Sequence, residues 1–68
     1  MIVMVNHIKE FRKALGLTQT GLGSLCGLSQ QTIWELESGR RQPSAYNAGI
    51  IAHVLGKSFN DVFEFMEV

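Results

Sequence analysis

Apolar residues along this chain recur at spacings of three and four, between polar residues and single glycines, which is the pattern of short amphipathic helices. Residues suited to the N-cap precede the predicted helices: Asn6, Thr18, Ser29, Ser44 and Ser58, the last with Asp61 as a capping box. Glycines suited to a left-handed C-terminal position follow four of them: Gly16, Gly27, Gly39 and Gly56. The apolar stripes expected to face the core are Ile8, Phe11 and Leu15; Leu22, Leu25 and Cys26; Ile33 and Leu36; and Ala48, Ile51, Ala52 and Leu55. The pattern predicts five short helices and an all-α fold.

The two chain ends depart from the helical pattern. Residues 2–5 are rich in β-branched side chains, and residues 63–67 mix aromatic with acidic ones. We therefore predict two short strands that pair with each other. In the alternative, the fifth helix continues to the C-terminus, because Asp61, Glu64 and Glu67 recur at helical spacing.

Residues 18–38 carry the features of two helices joined by a tight turn. Such a joint needs a small residue where the helices cross, which Gly23 supplies, and a turn residue with positive φ, which Gly27 supplies. Apolar residues on both sides of the turn face the core: Leu22, Cys26, Leu28, Ile33 and Leu36. Together these features predict a helix-turn-helix.

With these motifs the chain resembles the Cro and phage-repressor type of helix-turn-helix regulators. The matching segments are GLTQ at 16–19, GLSQQTI at 27–33, ESGRRQPS at 37–44 and IAHVLGKS at 51–58. The resemblance covers roughly residues 6–63 and implies a repressor-like five-helix domain over residues 1–68. It also implies a cytoplasmic regulator of bacterial or phage type with no enzymatic activity.

The resemblance implies that the third helix enters the DNA major groove. Helical geometry places Gln31, Glu35 and Ser38 within an arc of about 60° on the side away from the core. The residues expected to contact bases are Gln30, Gln31, Glu35 and Ser38. Glutamine pairs with adenine N6 and N7, whereas Glu35 either accepts from cytosine N4 or repels phosphate. Thr32 and Trp34 lie at the edge of the arc; Trp34 contacts a thymine methyl or sugar or, as we favour, packs against the second helix.

Four positions match the contacts that the family makes with the DNA backbone: Thr18, Gln19, Arg40 and Arg41. The first two open the second helix, whose N–H groups attract anions, and the two arginines follow the recognition helix. Arg12 and Glu37 match positions that the family often pairs, so we expect a partly buried bidentate ion pair that ties the first helix to the third.

The formal net charge of zero argues mildly against nucleic-acid binding, because a basic balance is the usual footprint. The charges are segregated, however. Residues 1–57 carry a net +3, and the acidic residues Asp61, Glu64 and Glu67 bring the total back to zero. A modestly basic helical region with an acidic C-terminal segment weakens the objection.

Cofactor and membrane chemistry find no support in the sequence. One cysteine cannot form an intrachain disulfide, and Cys26 is expected in the core. His7 and His53 have no partners at metal-ligand spacing, so we expect neither a metal nor a cofactor. No apolar run is long enough for a membrane span.

The chain ends carry more apolar surface than so small a monomer can bury. The residues concerned are Ile2, Met4, Phe65, Met66 and Val68. We expect these ends to form an isologous homodimer that presents two recognition helices, about 34 Å apart, to a palindromic double-stranded operator. The predicted function is a sequence-specific transcriptional regulator, in particular a repressor. The alternative is a protein-interaction module, or an antitoxin or restriction-controller type of regulator that docks a partner protein through its C-terminal segment.

Overall fold

Five short helices enclose one apolar core, and the two chain ends pair as a small sheet beside it. A computed structural model describes residues 1–68. The elements in chain order are β1 Ile2–Asn6, α1 Ile8–Ala14, α2 Gln19–Cys26, α3 Gln30–Glu37, α4 Ala45–Leu55, α5 Phe59–Val62 and β2 Phe63–Glu67. The predicted five helices and paired terminal strands are confirmed.

Four helix starts follow their local sequence signals. The side-chain hydroxyl of the N-cap residue accepts a hydrogen bond from the backbone N–H three residues later at Thr18, Ser29, Ser44 and Ser58. The capping box of Ser58 and Asp61 forms as predicted. Positive φ angles of 70–78° occur at all four expected glycines: Gly16, Gly27, Gly39 and Gly56.

The prediction that Asn6 caps α1 is wrong. Asn6 is the last residue of β1 and pairs with Phe63, while His7 occupies the N-cap position without a side-chain cap bond. The Asn6 amide instead bridges two elements. Its Oδ1 accepts from the N–H of Ile8 at 3.3 Å, and its Nδ2 donates to the carbonyl of Leu36 at 2.8 Å. Asn6 thus fixes the end of α3 against the start of α1.

The core contains ten buried apolar side chains: Ile8, Leu22, Ile33, Leu36, Ala48, Ile51, Ala52, Leu55, Val62 and Phe63. Two leucines expected there lie on the surface. Leu15 is 55% exposed because α1 ends before it, and Arg12 takes the buried position one turn earlier. Leu25 is 60% exposed. The core-facing side of α2 lies between Leu22 and Gly23, and Leu25 is about 110° away from it at 100° per residue.

Gly23 allows α2 and α3 to meet closely. A Cβ atom at this position would lie 2.5 Å from the backbone oxygen of Leu28, a distance that real Cβ contacts do not reach. The Leu28 N–H also donates to the carbonyl of Gly23 at 2.8 Å. The expected crossing residue is confirmed, and the contact is with backbone, which cannot move aside as a side chain would.

The helical alternative for the C-terminal segment is wrong, because α5 changes directly into a strand. Phe63 has φ −123° and ψ 125°, and β2 pairs antiparallel with β1 in the register Ile2 with Glu67 through Asn6 with Phe63. The acids that recur at helical spacing serve separate partners. Asp61 caps α5, Glu64 accepts from His7 at 2.8 Å, and Glu67 pairs with the N-terminal ammonium at 2.9 Å.

Candidate nucleic-acid interface

One side of α3 is polar and open to solvent. Ile33 and Leu36 are buried, which turns the opposite side outward. Gln30, Gln31 and Ser38 are exposed there. The Glu35 side chain lies on the same side and is about one-third exposed. Thr32 is half-buried at the edge of this face, where its hydroxyl meets that of Ser29 at 2.9 Å.

The first side chain of α3 is held by a relay of hydrogen bonds. Gln30 Nε2 donates to Gln19 Oε1 at 2.7 Å, and Gln19 Nε2 donates to Glu37 Oε1 at 3.1 Å. Gln19 therefore joins the start of α2 to both ends of α3. A glutamine held in this way loses less rotamer freedom on binding a ligand, because part of that freedom is already lost in the free protein.

The relay ends in the ion pair of Arg12 and Glu37. Arg12 Nε donates to Glu37 Oε2 at 2.7 Å and Nη2 donates to Oε1 at 3.0 Å, a bidentate arrangement. Arg12 Nη1 donates to the carbonyl of Leu17 at 3.0 Å. The two side chains are only 8% and 4% exposed. The hydrogen bond to Glu37 raises the pKa of Arg12, against the opposing effect of desolvation. The structure thus brings together the two residues expected to tie α1 to α3.

The segment after α3 folds back on it. Gly39, with φ +78°, turns the chain, and the backbone N–H groups of Arg40 and Arg41 donate to the carbonyl of Glu35 at 2.9 and 3.3 Å. The Arg40 guanidinium lies over the ring of Trp34, 5.0 Å from its centroid. Trp34 remains 38% exposed, and its ring packs on this cation at the surface.

Two lysines on α1, which were not among the expected site residues, join this surface. Lys13 lines an open groove with Thr18, Gln19, Thr20 and Gln30. Lys9 lines a smaller cleft together with Trp34 and Ser38. Their spacing of four residues, with Arg12 buried between them, is the signal that would have placed both on one outward side of α1. Lysines thus lie on one flank of α3 and arginines follow its C-terminal end.

The apolar residues expected at a dimer contact lie in the terminal sheet. Ile2, Phe65, Met66 and Val68 are exposed, whereas Met4 is half-buried and packs against the core. The register divides them between two sides, because paired residues of antiparallel strands point the same way. Ile2, Met4 and Phe65 share one side, and Met66 lies on the other, paired with Val3. The structure therefore does not bring all five onto a single surface.

Outside this surface, no group of three or more His, Cys, Asp and Glu side chains has the geometry to hold a metal ion. The hydrogen bond to Glu64 raises the pKa of His7. Burial raises the pKa of the Cys26 thiol, which packs against the core. None of the helices has the length and apolar character needed to cross a membrane.

Comparison with known proteins identifies the relatives of this chain. Residues 8–62 match the helix-turn-helix family model. An uncharacterized HTH-type transcriptional regulator from Methanothermobacter thermautotrophicus is 47% identical over 57 residues, which cover 82% of this chain and 83% of the relative. Similar regulators occur in Bacillus subtilis, so the relatives are archaeal as well as bacterial.

Two solved structures share the fold. The restriction-modification controller protein C.AhdI from Aeromonas hydrophila has a TM-score of 0.76 and 31% identity, with 79% of this chain and 82% of that chain covered. The P22 c2 repressor protein, in complex with a synthetic operator, has a TM-score of 0.75 and 28% identity, with 78% and 80% covered.

Proposed function

The chain belongs to the helix-turn-helix family of DNA-binding transcriptional regulators, and from this premise we propose that it acts as a homodimeric repressor on a palindromic operator in the cytoplasm. One observation carries the proposal. The outward side of α3 is polar, its first glutamine is held in place by Gln19, and cationic side chains lie along its flank and follow its end. The centre of a protein-docking surface is usually depleted of lysine and acidic residues, whereas this surface carries Lys9, Lys13 and Glu35.

In the proposed complex, α3 lies in the major groove and its N-terminal half reads the bases. Gln30 and Gln31 supply amide pairs for adenine N6 and N7. Gln30 keeps its Oε1 as an acceptor while Nε2 remains bonded to Gln19. Ser38 is exposed at the far end of the same side, and Thr32 lies at its edge.

Phosphate contacts flank the base contacts. On one flank, Lys13 lies in the groove with Thr18 and Gln19, beside N–H groups that the first turn of α2 leaves without intrahelical partners. At the end of α3, Arg40 is held over the ring of Trp34, and its guanidinium supplies N–H donors for phosphate. These contacts fix the register of the protein on the duplex without reading sequence.

The terminal sheet is the proposed dimer contact. A two-stranded sheet is marginal in water unless a further strand or an apolar surface covers it. Ile2 and Phe65 lie on the same side of the sheet as Met4. Met4 packs on the core, whereas Ile2 and Phe65 are each 66% exposed. A second copy related by a two-fold axis would cover both apolar side chains and present the two α3 helices to half-sites about 34 Å apart.

Duplex binding measured against salt concentration tests the DNA-binding part. The logarithm of the association constant should fall linearly with the logarithm of salt concentration, with a slope of about −0.9 per phosphate contacted. Gln31→Ala should reduce the preference for one or two base pairs, whereas Arg40→Ala should weaken binding to every duplex and flatten the slope. Asn60→Ala and Lys57→Ala, on α5 and just before it, are the matched controls. Absence of duplex binding at low salt would refute the proposal.

The oligomeric state tests the dimer separately. Sedimentation equilibrium should give a dimer for the wild type and a monomer for Phe65→Glu, which places a charge among the exposed apolar side chains of the sheet. Tyr46→Glu makes the same kind of change at an exposed aromatic residue of α4 and should leave the dimer intact. A Phe65→Glu variant that remains dimeric would place the contact elsewhere.

A further inference from the structure

Two adjacent residues of α3 each hold one of the arginines that follow it. Trp34 carries the guanidinium of Arg40 over its ring, and Glu35 Oε1 accepts a hydrogen bond from Arg41 Nη1 at 3.3 Å. The backbone N–H groups of both arginines donate to the carbonyl of Glu35. These hydrogen bonds therefore fix the backbone of both arginines at the end of the recognition helix.

The two holding contacts differ in what they leave available. A ring face attracts the guanidinium without accepting its in-plane N–H donors, so Arg40 keeps those donors for phosphate. A carboxylate accepts one of the N–H donors and offsets the positive charge. Arg41 therefore binds a phosphate less well while it is bonded to Glu35. Glu35 is also the only acidic residue on the outward side of α3, beside Gln31 and Ser38.

We propose that Glu35 is a specificity-determining residue that retains Arg41 on unrelated duplexes and releases it to phosphate where a cytosine faces α3. This inference rests on the proposed function. Cytosine offers its N4 amino group on the floor of the major groove, where a carboxylate accepts from it. The phosphates lie on the groove walls, so a Glu35 carboxylate turned toward the floor moves away from the arginine.

Breaking the pair of Arg41 and Glu35 costs little free energy because it is a surface contact. The Arg41 side chain is 57% exposed and that of Glu35 is 31% exposed. Exposed ion pairs contribute little, and retention of Arg41 should change affinity by about two- to fivefold. The two arginines should then differ in a measurable way. Arg40 contributes to every duplex, whereas Arg41 contributes only to the duplex that carries the cytosine.

The test compares a duplex selected by the wild-type protein from a random library with an unrelated duplex, across salt concentrations. Glu35→Gln should bind the unrelated duplex about two- to fivefold more tightly, with a salt slope steeper by about 0.9 per bound subunit. Its own selected duplexes should lose one fixed cytosine per half-site. Arg41→Ala should weaken binding to the selected duplex only. In the Arg41→Ala background, Glu35→Gln should leave the salt slope unchanged.

Glu10→Gln removes the same charge from α1 and serves as the control, with circular dichroism to verify that each variant is folded. An equal gain from Glu10→Gln, or an equal gain from Glu35→Gln with and without Arg41, would show simple charge repulsion and overturn the inference. Equal weakening of both duplexes by Arg41→Ala would overturn it too. A wild type that binds no duplex would refute the proposed function together with this inference.

Discussion

Replacing Arg12 by alanine should destabilise the fold severely. The side chain makes two hydrogen bonds to Glu37 and one to the carbonyl of Leu17, and all three hydrogen bonds are part-buried. Removing one member of a buried pair leaves an uncompensated charge, which typically costs about 3–5 kcal/mol. In Arg12→Ala, Glu37 would keep only the single hydrogen bond from Gln19.

The size of the domain makes this loss large. At about 0.05–0.15 kcal/mol per residue, a chain of this length has a total stability of about 3–10 kcal/mol. Arg12→Ala should therefore remove a third or more of it, and the least stable case would not fold at room temperature. Urea unfolding followed by circular dichroism should show a lower midpoint with an unchanged m-value.

Two comparisons make the result decisive. Lys13→Ala removes a neighbouring cation that is exposed, and should change stability by less than about 0.5 kcal/mol. The double variant Arg12→Met with Glu37→Met removes both charges and should recover much of the loss, because an apolar pair of similar volume replaces a buried ion pair at little cost. An Arg12→Ala midpoint equal to that of the wild type would refute the structural role of the pair.

Two further predictions concern the joint between α2 and α3 and the attachment of β2. Gly23→Ala should destabilise by about 1–3 kcal/mol, because its Cβ would meet the backbone oxygen of Leu28, whereas Gly49→Ala, with open space around it, should stabilise by about 0.5–1 kcal/mol in the same thermal unfolding assay. Equal effects would contradict the close approach. The raised pKa of His7 means that its bond to Glu64 contributes fully below the unfolded pKa near 6.5 and is lost as pH rises through the folded value. The stability difference between wild type and His7→Gln should therefore be greater at about pH 5.5 than at pH 8, and a pH-independent difference would show that protonated His7 does not stabilise the fold.

Helix starts and stops could be predicted because they depend on a few neighbouring residues. Ser29, Ser44 and Ser58 bond to backbone groups three positions away, and Gly27 needs only its own freedom at positive φ. The exposure of Leu15 could not be predicted in this way. Its exposure depends on which side of α1 packs against the other helices, and that is a tertiary effect.

The candidate site shows the same division. The outward arc of α3 follows from helical periodicity, so spacing alone predicts that Gln31, Glu35 and Ser38 lie on it. The bond between Gln19 and Gln30 joins two helices, and the position of Lys13 beside the start of α2 depends on how α1 packs. Neither is encoded in a local pattern. The division of the apolar end residues between two sides of the sheet depends on strand register, which a sequence without a connecting turn does not specify.

The order of the elements along the chain links assembly to completed folding. β1 precedes all five helices and β2 follows them, so the two strands can meet only after the whole helical region has been synthesised. Folding of the helices brings the strands together and removes most of the entropy cost of closing so long a loop. A subunit with an unfolded helical region would lack the sheet, and with it the proposed contact to its partner. Under this arrangement, incomplete or damaged chains would be excluded from the dimer and would not compete for the operator.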